Sequence, residues 1–271
     1  MLVADMVRRH GHAVEAVNRI ADALTTAIEA TTTQLENGGR LIFVGAGTSG
    51  RVAAQDAAEL PPTFNWPRER ALVLIAGGVD ALHTPVERAE DNGEAAQDEM
   101  AALDPTEDDV VIGVAASGTT PYTLAALNLA ADYGAMTIGV CNRTGSPIAS
   151  AVDHPLVLDT GPEFVHGSTR LAAGTAQKVS LNILTTAVMV RLGRVYDGQM
   201  IDMPPTNQKL EARAAEIVSD VAGCSQAEAK AALDASGNRI KVAIVMTSKG
   251  VDLPAAETMI DNAGGLLRDV L

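Results

Sequence analysis

The stretch that decides the fold reads RLIFVGAGTSGR and spans residues 40–51. Its apolar part, Leu41 to Val44, has the length and composition of a buried strand. Gly45, Gly47 and Gly50 then predict a tight turn, and the alanine-rich residues that follow predict a helix. A strand, a glycine turn and a helix in this order direct free backbone N–H groups and the positive end of a helix dipole at one place. Such a place favours an anion, most often a phosphate.

The side chains of this turn favour a phosphate on a small ligand over a dinucleotide. Thr48 and Ser49 add two hydroxyl donors beside Gly47. The glycine spacing also matches the dinucleotide fingerprint, but that motif requires an acidic residue about 20 positions further on. Residues 65–68 read NWPR there and contain no carboxylate. We therefore expect Gly47, Thr48 and Ser49 to bind a phosphate group.

Composition excludes several classes of partner. The chain of 271 residues carries a formal net charge of -14, which argues against nucleic acid and anionic membranes. Its apolar runs are too short to span a bilayer, and no signal-peptide pattern is present, so we expect a cytoplasmic protein. The spacing of His, Cys and carboxylate residues predicts no metal site.

The chain as a whole predicts an α/β fold with a parallel sheet. Apolar runs without alternation are typical of parallel strands covered on both faces. After Leu41 to Val44, four further strands are predicted, at residues 72–76, 110–115, 136–141 and 156–158. Helices are predicted at residues 12–30, from 50 to a stop at Pro61 and Pro62, and at 84–103, 121–133 and 168–192. Short helical patterns follow at residues 210–221, 225–235 and 255–263, so we expect two domains, 1–202 and 203–271, the second a small helical module.

A second hydroxyl-rich turn follows the third strand and comprises Ser117, Gly118, Thr119 and Thr120. Because the carboxyl ends of parallel strands share one edge of a sheet, we expect this turn to lie beside the first. Two such turns indicate a site for a sugar phosphate. The alternative, that these Ser and Thr residues only cap helices, stays open at this point.

Two glutamates and one arginine are candidates for chemistry. Glu59 is expected in the last turn of the helix stopped by the prolines, where the dipole disfavours a negative charge and favours a general acid. Glu90 is expected on a helix face with Glu87 and Glu94, where an inward-facing carboxylate would serve as a base. Spacing alone favours solvated carboxylates for both. Arg170, expected in the first turn of the helix at 168–192, suggests a nearby anion.

Six motifs along the chain together resemble those of the N-acetylmuramic acid 6-phosphate etherases. They occur in the family's order, at residues 45–51, 56–63, 75–78, 87–91, 115–122 and 167–178. The resemblance implies a five-stranded sugar isomerase (SIS) domain, built as a parallel three-layer α/β sandwich that binds phosphosugars. It also implies a small helical C-terminal module and a homodimer in the cytoplasm.

The resemblance further implies a reaction and its residues. The family cleaves the D-lactyl ether of a phosphorylated amino sugar, N-acetylmuramic acid 6-phosphate, by elimination followed by water addition. Its products are N-acetylglucosamine 6-phosphate and D-lactate, and it requires no metal or organic cofactor. The family's two catalytic glutamates correspond to Glu59, as the acid, and Glu90, as the base.

Three departures from the family pattern keep other functions open. Thr119 and Ala172 stand where the family usually has Arg and Lys, so two cations near an anionic substrate are absent. Arg88 stands where the family usually has Gly and is expected to replace them only in part. The alternatives are a non-catalytic phosphosugar sensor, similar to the glucokinase regulatory proteins, and an aldose–ketose isomerase with a carboxylate base at C2.

Overall fold

The computed structural model describes all 271 residues, and its centre is a five-stranded parallel sheet. The strands are β1 (Leu41–Gly45), β2 (Ala71–Ile75), β3 (Val110–Val114), β4 (Met136–Cys141) and β5 (His154–Val157). They lie in the order β2-β1-β3-β4-β5, with Leu41 of β1 in register with Ala71 of β2 and with Val110 of β3. The predicted parallel α/β sheet is therefore confirmed.

Twelve α-helices surround and follow the strands. They are α1 (Leu2–Arg19), α2 (Ala21–Glu36), α3 (Gly47–Phe64), α4 (Gly93–Ala102), α5 (Pro121–Asp132), α6 (Pro147–Ala151), α7 (Ala172–Arg191), α8 (Gln208–Ala222), α9 (Gln226–Ser236), α10 (Ile240–Lys249), α11 (Leu253–Asn262) and α12 (Leu267–Val270). None of them combines the length and apolarity that a membrane span requires.

Helices cover both faces of the sheet. Successive side chains of a strand point to opposite faces, and the strands are apolar on both, so both faces must be buried. Every residue of β1 and β3 is buried. On one face, Ile42 and Val111 share a core with Met100 of α4 and Leu127 of α5. The helix α2 contacts β3 and β5 with its own buried stripe. The apolar strands predict a sheet covered on both faces, and this arrangement is the three-layer sandwich that the family resemblance implies.

The chain forms two compact units. The first consists of Met1–Ala58 and Arg68–Thr186 and contains the sheet, and the second consists of Glu59–Pro67 and Ala187–Leu271. The division into domains 1–202 and 203–271 stays a prediction, since compact packing units need not coincide with domains that fold alone.

The second unit has a helical core of its own. Ile217 and Val218 of α8 and Ile244 of α10 are buried within it. Trp66 is only 3% exposed, and the guanidinium carbon of Arg194 lies 5.4 Å from the centre of its ring. The helix α9 begins with a capping box formed by Ser225 and Glu228. Helices α10 and α12 add to the three short helices that the sequence predicts here.

An ion pair ties the amino ends of β1 and β3 together. Asp109 is 1% exposed, and its Oδ2 lies 2.6 Å from Nη2 of Arg40. The backbone N–H groups of Arg40 and Thr106 donate to the same carboxylate at 2.8 and 2.9 Å. Nη1 and Nη2 of the same guanidinium also donate to the carbonyls of Leu103 and Asp104, at 3.0 and 3.1 Å. Arg40 and Thr106 both precede a strand, so this ion pair lies at the amino edge of the sheet, opposite the carboxyl ends of the strands.

The predicted helix at residues 84–103 is wrong over its first half. Arg88 has a left-handed backbone with φ of +61°, which a right-handed helix excludes. Residues Ala89–Asp91 form one 3-10 turn, and α4 begins only at Gly93, where the Asn92 side chain accepts from the Ala95 N–H. The acidic residues 87, 90 and 94 therefore do not share a helix face.

Two further helix predictions differ from the structure in this part of the chain. The helix α3 continues through Pro61 and Pro62 to Phe64. The fixed φ of proline is itself helical, and the Asn65 N–H bonds to the Pro61 carbonyl at 2.9 Å. The single helix predicted at residues 12–30 is two helices. The backbone leaves the helical path at Ile20, with φ of −105° and ψ of 17°.

Candidate active site

The two hydroxyl-rich turns lie side by side at the carboxyl edge of the sheet. Gly45, at the end of β1, is in register with Val114, at the end of β3. The first turn leads directly into α3 and the second into α5. Ligands of open parallel sheets bind at this edge. The structure thus brings the turns at 46–49 and 115–120 together within the first unit.

The first turn has the geometry of an anion site. Ala46 precedes α3, so the N–H groups of Gly47, Thr48 and Ser49 belong to the first helical turn, which has no intrahelical acceptors for them. The turn is tight, because a methyl group at Gly50 would lie 2.9 Å from the carbonyl carbon of Gly45. Only glycine allows this approach, and it fixes where the helix begins.

The second turn is held by its own hydroxyls. Gly118 has a positive φ of +65°, and a methyl group there would meet Ser146 Oγ at 2.3 Å. The backbone N–H and the hydroxyl of Thr119 both donate to Ser117 Oγ, at 3.2 and 3.0 Å. Ser117 and Thr119 are exposed at this edge.

Helix capping does not account for these hydroxyls. Thr120 occupies the N-cap position of α5 but forms no capping hydrogen bond with its side chain. Thr48 and Ser49 lie inside α3, and the residue that precedes this helix is Ala46. The alternative that both turns serve only to cap helices is therefore disfavoured.

A cavity of about 250 Å³ opens beside the first turn. Its lining combines the start of α3 with the segment that follows β2: Ala46, Gly47, Arg51, Ala76, Ala81, Pro85, Val86, Glu87, Arg88, Ala89 and Glu90. Of the residues predicted from the sequence, the cavity brings together Gly47 and Glu90. The wrong helix prediction thus concerns the segment that forms one wall of the site.

The charged side chains of this cavity are not paired with one another. Nε of Arg51 donates to the Leu82 carbonyl at 3.2 Å. The side chains of Glu87, Arg88 and Glu90 form no hydrogen bond or ion pair within the chain. Two guanidinium and two carboxylate groups thus face one small space with most of their hydrogen-bonding capacity unused, which suits a polar, charged ligand.

Glu59 lies in the second unit, on α3, and is exposed. The two prolines predict that Glu59 lies in the last turn of the helix. Because α3 runs on to Phe64, Glu59 lies before that turn. The prolines retain one effect there: without N–H groups they leave the carbonyls of Ala57 and Ala58 without helical donors. Glu59 therefore lies further from the negative end of the helix dipole than the sequence predicts.

Arg170 is exposed and precedes α7, which begins at Ala172 rather than at residue 168. The anion at this helix start is a side chain of the protein itself. The carboxylate of Glu163 accepts from the N–H groups of Ala172 and Ala173 at 3.0 and 2.9 Å. A methyl group at Gly174 would lie 3.2 Å from Thr48 Cγ2, so the start of α7 borders the first turn.

Tyr122 holds α5, the helix that follows the second turn, against α4. Its side chain is fully buried, and its hydroxyl donates to Glu99 of α4. Burial, together with the Glu99 carboxylate, raises the pKa of Tyr122 far above its usual value. The hydroxyl therefore keeps its proton and fixes α5 against α4.

Sequence reasoning did not single out Arg51, Glu87 or Glu163 as site residues. Arg51 and Glu87 belong to two of the six family motifs, but their distance along the chain gives no sign that they line one cavity. Glu163 is a helix cap that acts from nine residues before α7, beyond the reach of any local capping pattern.

Comparisons with known proteins first define the class. The family model of the SIS domain matches residues 79–187. A second family model, glucokinase regulatory protein N-terminal SIS domain, matches residues 23–131. A putative phosphosugar isomerase involved in capsule formation from Bacteroides fragilis is 20% identical, with a TM-score of 0.54 over 73% of this chain and 95% of its own. A phosphoheptose isomerase from Francisella tularensis is 19% identical, with a TM-score of 0.51 over 69% and 95%. The fold is that of a SIS domain.

Sequence relatives then define the family. An N-acetylmuramic acid 6-phosphate etherase from Deinococcus radiodurans is 49% identical over 100% of this chain and 88% of its own length. The corresponding protein from Rubrobacter xylanophilus is 46% identical over 100% and 89%. The chain belongs to the N-acetylmuramic acid 6-phosphate etherase family. The family resemblance seen in the six motifs is thereby confirmed.

Proposed function

We propose that the protein cleaves the D-lactyl ether of N-acetylmuramic acid 6-phosphate, as a carbon–oxygen lyase, to N-acetylglucosamine 6-phosphate and D-lactate. Relatives that are 42–49% identical over nearly the whole chain carry the name of this activity. The observation that carries the proposal is the cavity in which Glu90 faces the start of α3 at Gly47. It supports a base next to an anion site.

The first turn would hold the phosphate. Backbone N–H groups of Gly47, Thr48 and Ser49, with the two hydroxyls, offer donors that match phosphate oxygens. Ser117, Gly118, Thr119 and Thr120, at the neighbouring turn, are proposed to complete the phosphosugar contacts, and Arg170 to add positive charge. With the overall charge at -14, these local donors must hold the anion against the field of the whole protein.

The chemistry follows from the open-chain sugar. The aldehyde at C1 acidifies the proton at C2, and the Glu90 carboxylate removes it. The electron pair forms the C2–C3 double bond while the C3–O bond breaks, and Glu59 gives a proton to the departing lactate oxygen. Water then adds to C3 of the unsaturated aldehyde, and the ring closes. The steps balance without a cofactor.

A homodimer in the cytoplasm remains part of the proposal. Apolar side chains on one side of α1 support it: Val3, Val7 and Val14 are 72%, 65% and 58% exposed. An exposed apolar stripe of this kind is typical of a surface that another chain covers. Light scattering on the purified protein measures the mass directly, and a monomer at micromolar concentration would contradict this part.

The direct test is release of D-lactate from N-acetylmuramic acid 6-phosphate by the purified protein, followed with a D-lactate dehydrogenase. We expect stoichiometric release of lactate and of N-acetylglucosamine 6-phosphate. An absence of lactate, with phosphosugar binding intact in calorimetry, would contradict the etherase. That result would favour a sensor related to the glucokinase regulatory proteins, whose SIS domain description matches residues 23–131.

Glu59→Gln tests the proposed acid. We expect the rate of lactate release to fall by about 10²- to 10⁴-fold, because the leaving oxygen then departs without a proton. A substrate analogue with a halide at C3 needs no such proton, so its elimination should remain close to the wild-type rate. Glu69→Gln, an exposed glutamate outside the proposed site, is the matched control. An equal loss on both substrates would contradict the acid role.

A further inference from the structure

Arg88 stands out among the residues of the cavity because its backbone is unusual for its type. Its φ of +61° lies in the left-handed region, which residues other than glycine rarely adopt. The neighbouring 3-10 turn, Ala89–Asp91, begins directly after it. The left-handed backbone turns the chain so that Arg88 and Glu90 line the same cavity. Unfavourable backbone geometry of this kind clusters at functional sites.

The Arg88 side chain has no partner within the protein. It forms no hydrogen bond or ion pair, although the carboxylates of Glu87 and Glu90 line the same cavity. The other guanidinium group, that of Arg51, is already anchored through Nε to the Leu82 carbonyl. Arg88 is therefore the guanidinium of this cavity whose five N–H donors are all available to a ligand.

The proposed substrate has two anionic groups, the phosphate and the lactyl carboxylate. The cavity offers two cationic or donor-rich positions for them, the start of α3 and the Arg88 side chain. The phosphate at C6 matches the backbone N–H groups at the start of α3. The lactyl carboxylate is attached through oxygen to C3, next to the C2 atom from which Glu90 takes the proton. A group that binds this carboxylate must therefore lie close to Glu90 in the cavity. Arg88 is two residues before Glu90 in the chain and lines the same cavity.

We propose that Arg88 is a specificity-determining residue that binds the lactyl carboxylate of the substrate through its guanidinium group. A planar guanidinium matches a carboxylate with two parallel N–H···O bonds, and a lysine would not reproduce this geometry. Thr119 and Ala172, the residues at which cations are missing, need then make no contact with the lactyl group. This inference rests on the proposed function, since it concerns the same site and the same substrate.

The test uses ligands that bind but do not react. Reduction of C1 to an alcohol removes the carbonyl that acidifies C2, so the reduced form of N-acetylmuramic acid 6-phosphate cannot undergo elimination. Its affinity is compared by calorimetry with that of reduced N-acetylglucosamine 6-phosphate, which lacks the lactyl group. For Arg88→Gly we expect the affinity for the lactyl ligand to fall by about 10- to 100-fold and that for the other ligand to stay within about 2-fold.

Arg88→Gly is chosen because glycine adopts positive φ without strain, so the variant is expected to fold at least as well as the wild type. Arg88→Lys retains the charge and should recover only part of the affinity. Arg68→Ala removes an exposed cation outside the cavity and is the control for net charge. Equal weakening of both ligands, or of neither, would overturn the assignment. Because no turnover is measured, a failed lactate assay contradicts the etherase without deciding this result.

Discussion

Glu90→Gln is expected to lower the rate of D-lactate release by about 10²- to 10⁴-fold while phosphosugar binding stays close to that of the wild type. Glutamine has the same size as glutamate but cannot accept the C2 proton. Glu90 is exposed and lines the cavity beside Gly47, so the substitution leaves no buried group without a partner. Stability should therefore be nearly unchanged, and the loss should lie in the chemical step.

Exchange of the C2 proton separates this role from a loss of binding. In deuterium oxide, the wild-type product should carry deuterium at C2, because the base exchanges its proton with solvent. Glu90→Gln should abolish both this exchange and the elimination of a halide from C3. The matched control is Glu87→Gln, since Glu87 lines the same cavity. Full activity in Glu90→Gln with loss in Glu87→Gln would transfer the role of base to Glu87.

Asp109→Ala is expected to destabilise the protein by about 3–5 kcal/mol, because it removes one partner of a buried ion pair. The carboxylate is 1% exposed and accepts from the guanidinium of Arg40 at 2.6 Å. Its removal leaves Nε–H of Arg40 and the backbone N–H groups of Arg40 and Thr106 without this acceptor, and the guanidinium keeps only the carbonyls of Leu103 and Asp104. Asp108→Ala, the adjacent carboxylate, is the control, and we expect it to change the free energy of unfolding by less than about 0.5 kcal/mol.

The same carboxylate makes a defined contribution to acid sensitivity. Burial raises the pKa of Asp109, but the hydrogen bonds from Arg40 and Thr106 and the Arg40 charge outweigh it, so the pKa is lowered overall. A lowered pKa means that the stabilisation is fully present above the unfolded pKa of about 4 and is lost as the pH falls through the folded value. Urea unfolding at pH 7 and pH 3 should show a smaller difference for Asp109→Ala than for the wild type. An identical difference would contradict the argument.

Four of the five strands are predictable from the sequence because each is a short apolar run, whereas β5 begins at His154 and Pro155, two residues before the predicted start at residue 156. In a buried parallel strand nearly every residue is apolar, so the whole strand stands out in the sequence. Residues 136–141 are therefore predicted with the bounds that the structure has. The helix ends are less predictable, since they depend on contacts distant in sequence. A methyl group at Gly77 would lie 2.7 Å from Cβ of Val86, which shows how closely the segment after β2 packs on the preceding turn. The sequence around Thr84 and Pro85 looks like a helix start and carries no trace of that contact.

The site was predictable in part for the same reason. Glycine and hydroxyl residues at a strand end mark the two turns locally, so Gly47 and Gly118 follow from pattern alone. The cavity depends on Arg88 adopting a left-handed backbone, which no propensity predicts for arginine. The family resemblance therefore predicts the role of Glu90, whereas only the structure shows that residues 85–90 form one wall of the cavity.

The burial of Trp66 has a practical consequence for studying the two units. It is the one tryptophan of the chain, and it lies in the unit of Glu59–Pro67 and Ala187–Leu271. Its emission during denaturation therefore reports on that unit, whereas the circular dichroism of the helices reports on both. Coincident midpoints would mean a single cooperative transition, and an earlier change in emission would mean that the C-terminal helices open first. The chain thus carries a built-in fluorescent label for one of its two parts.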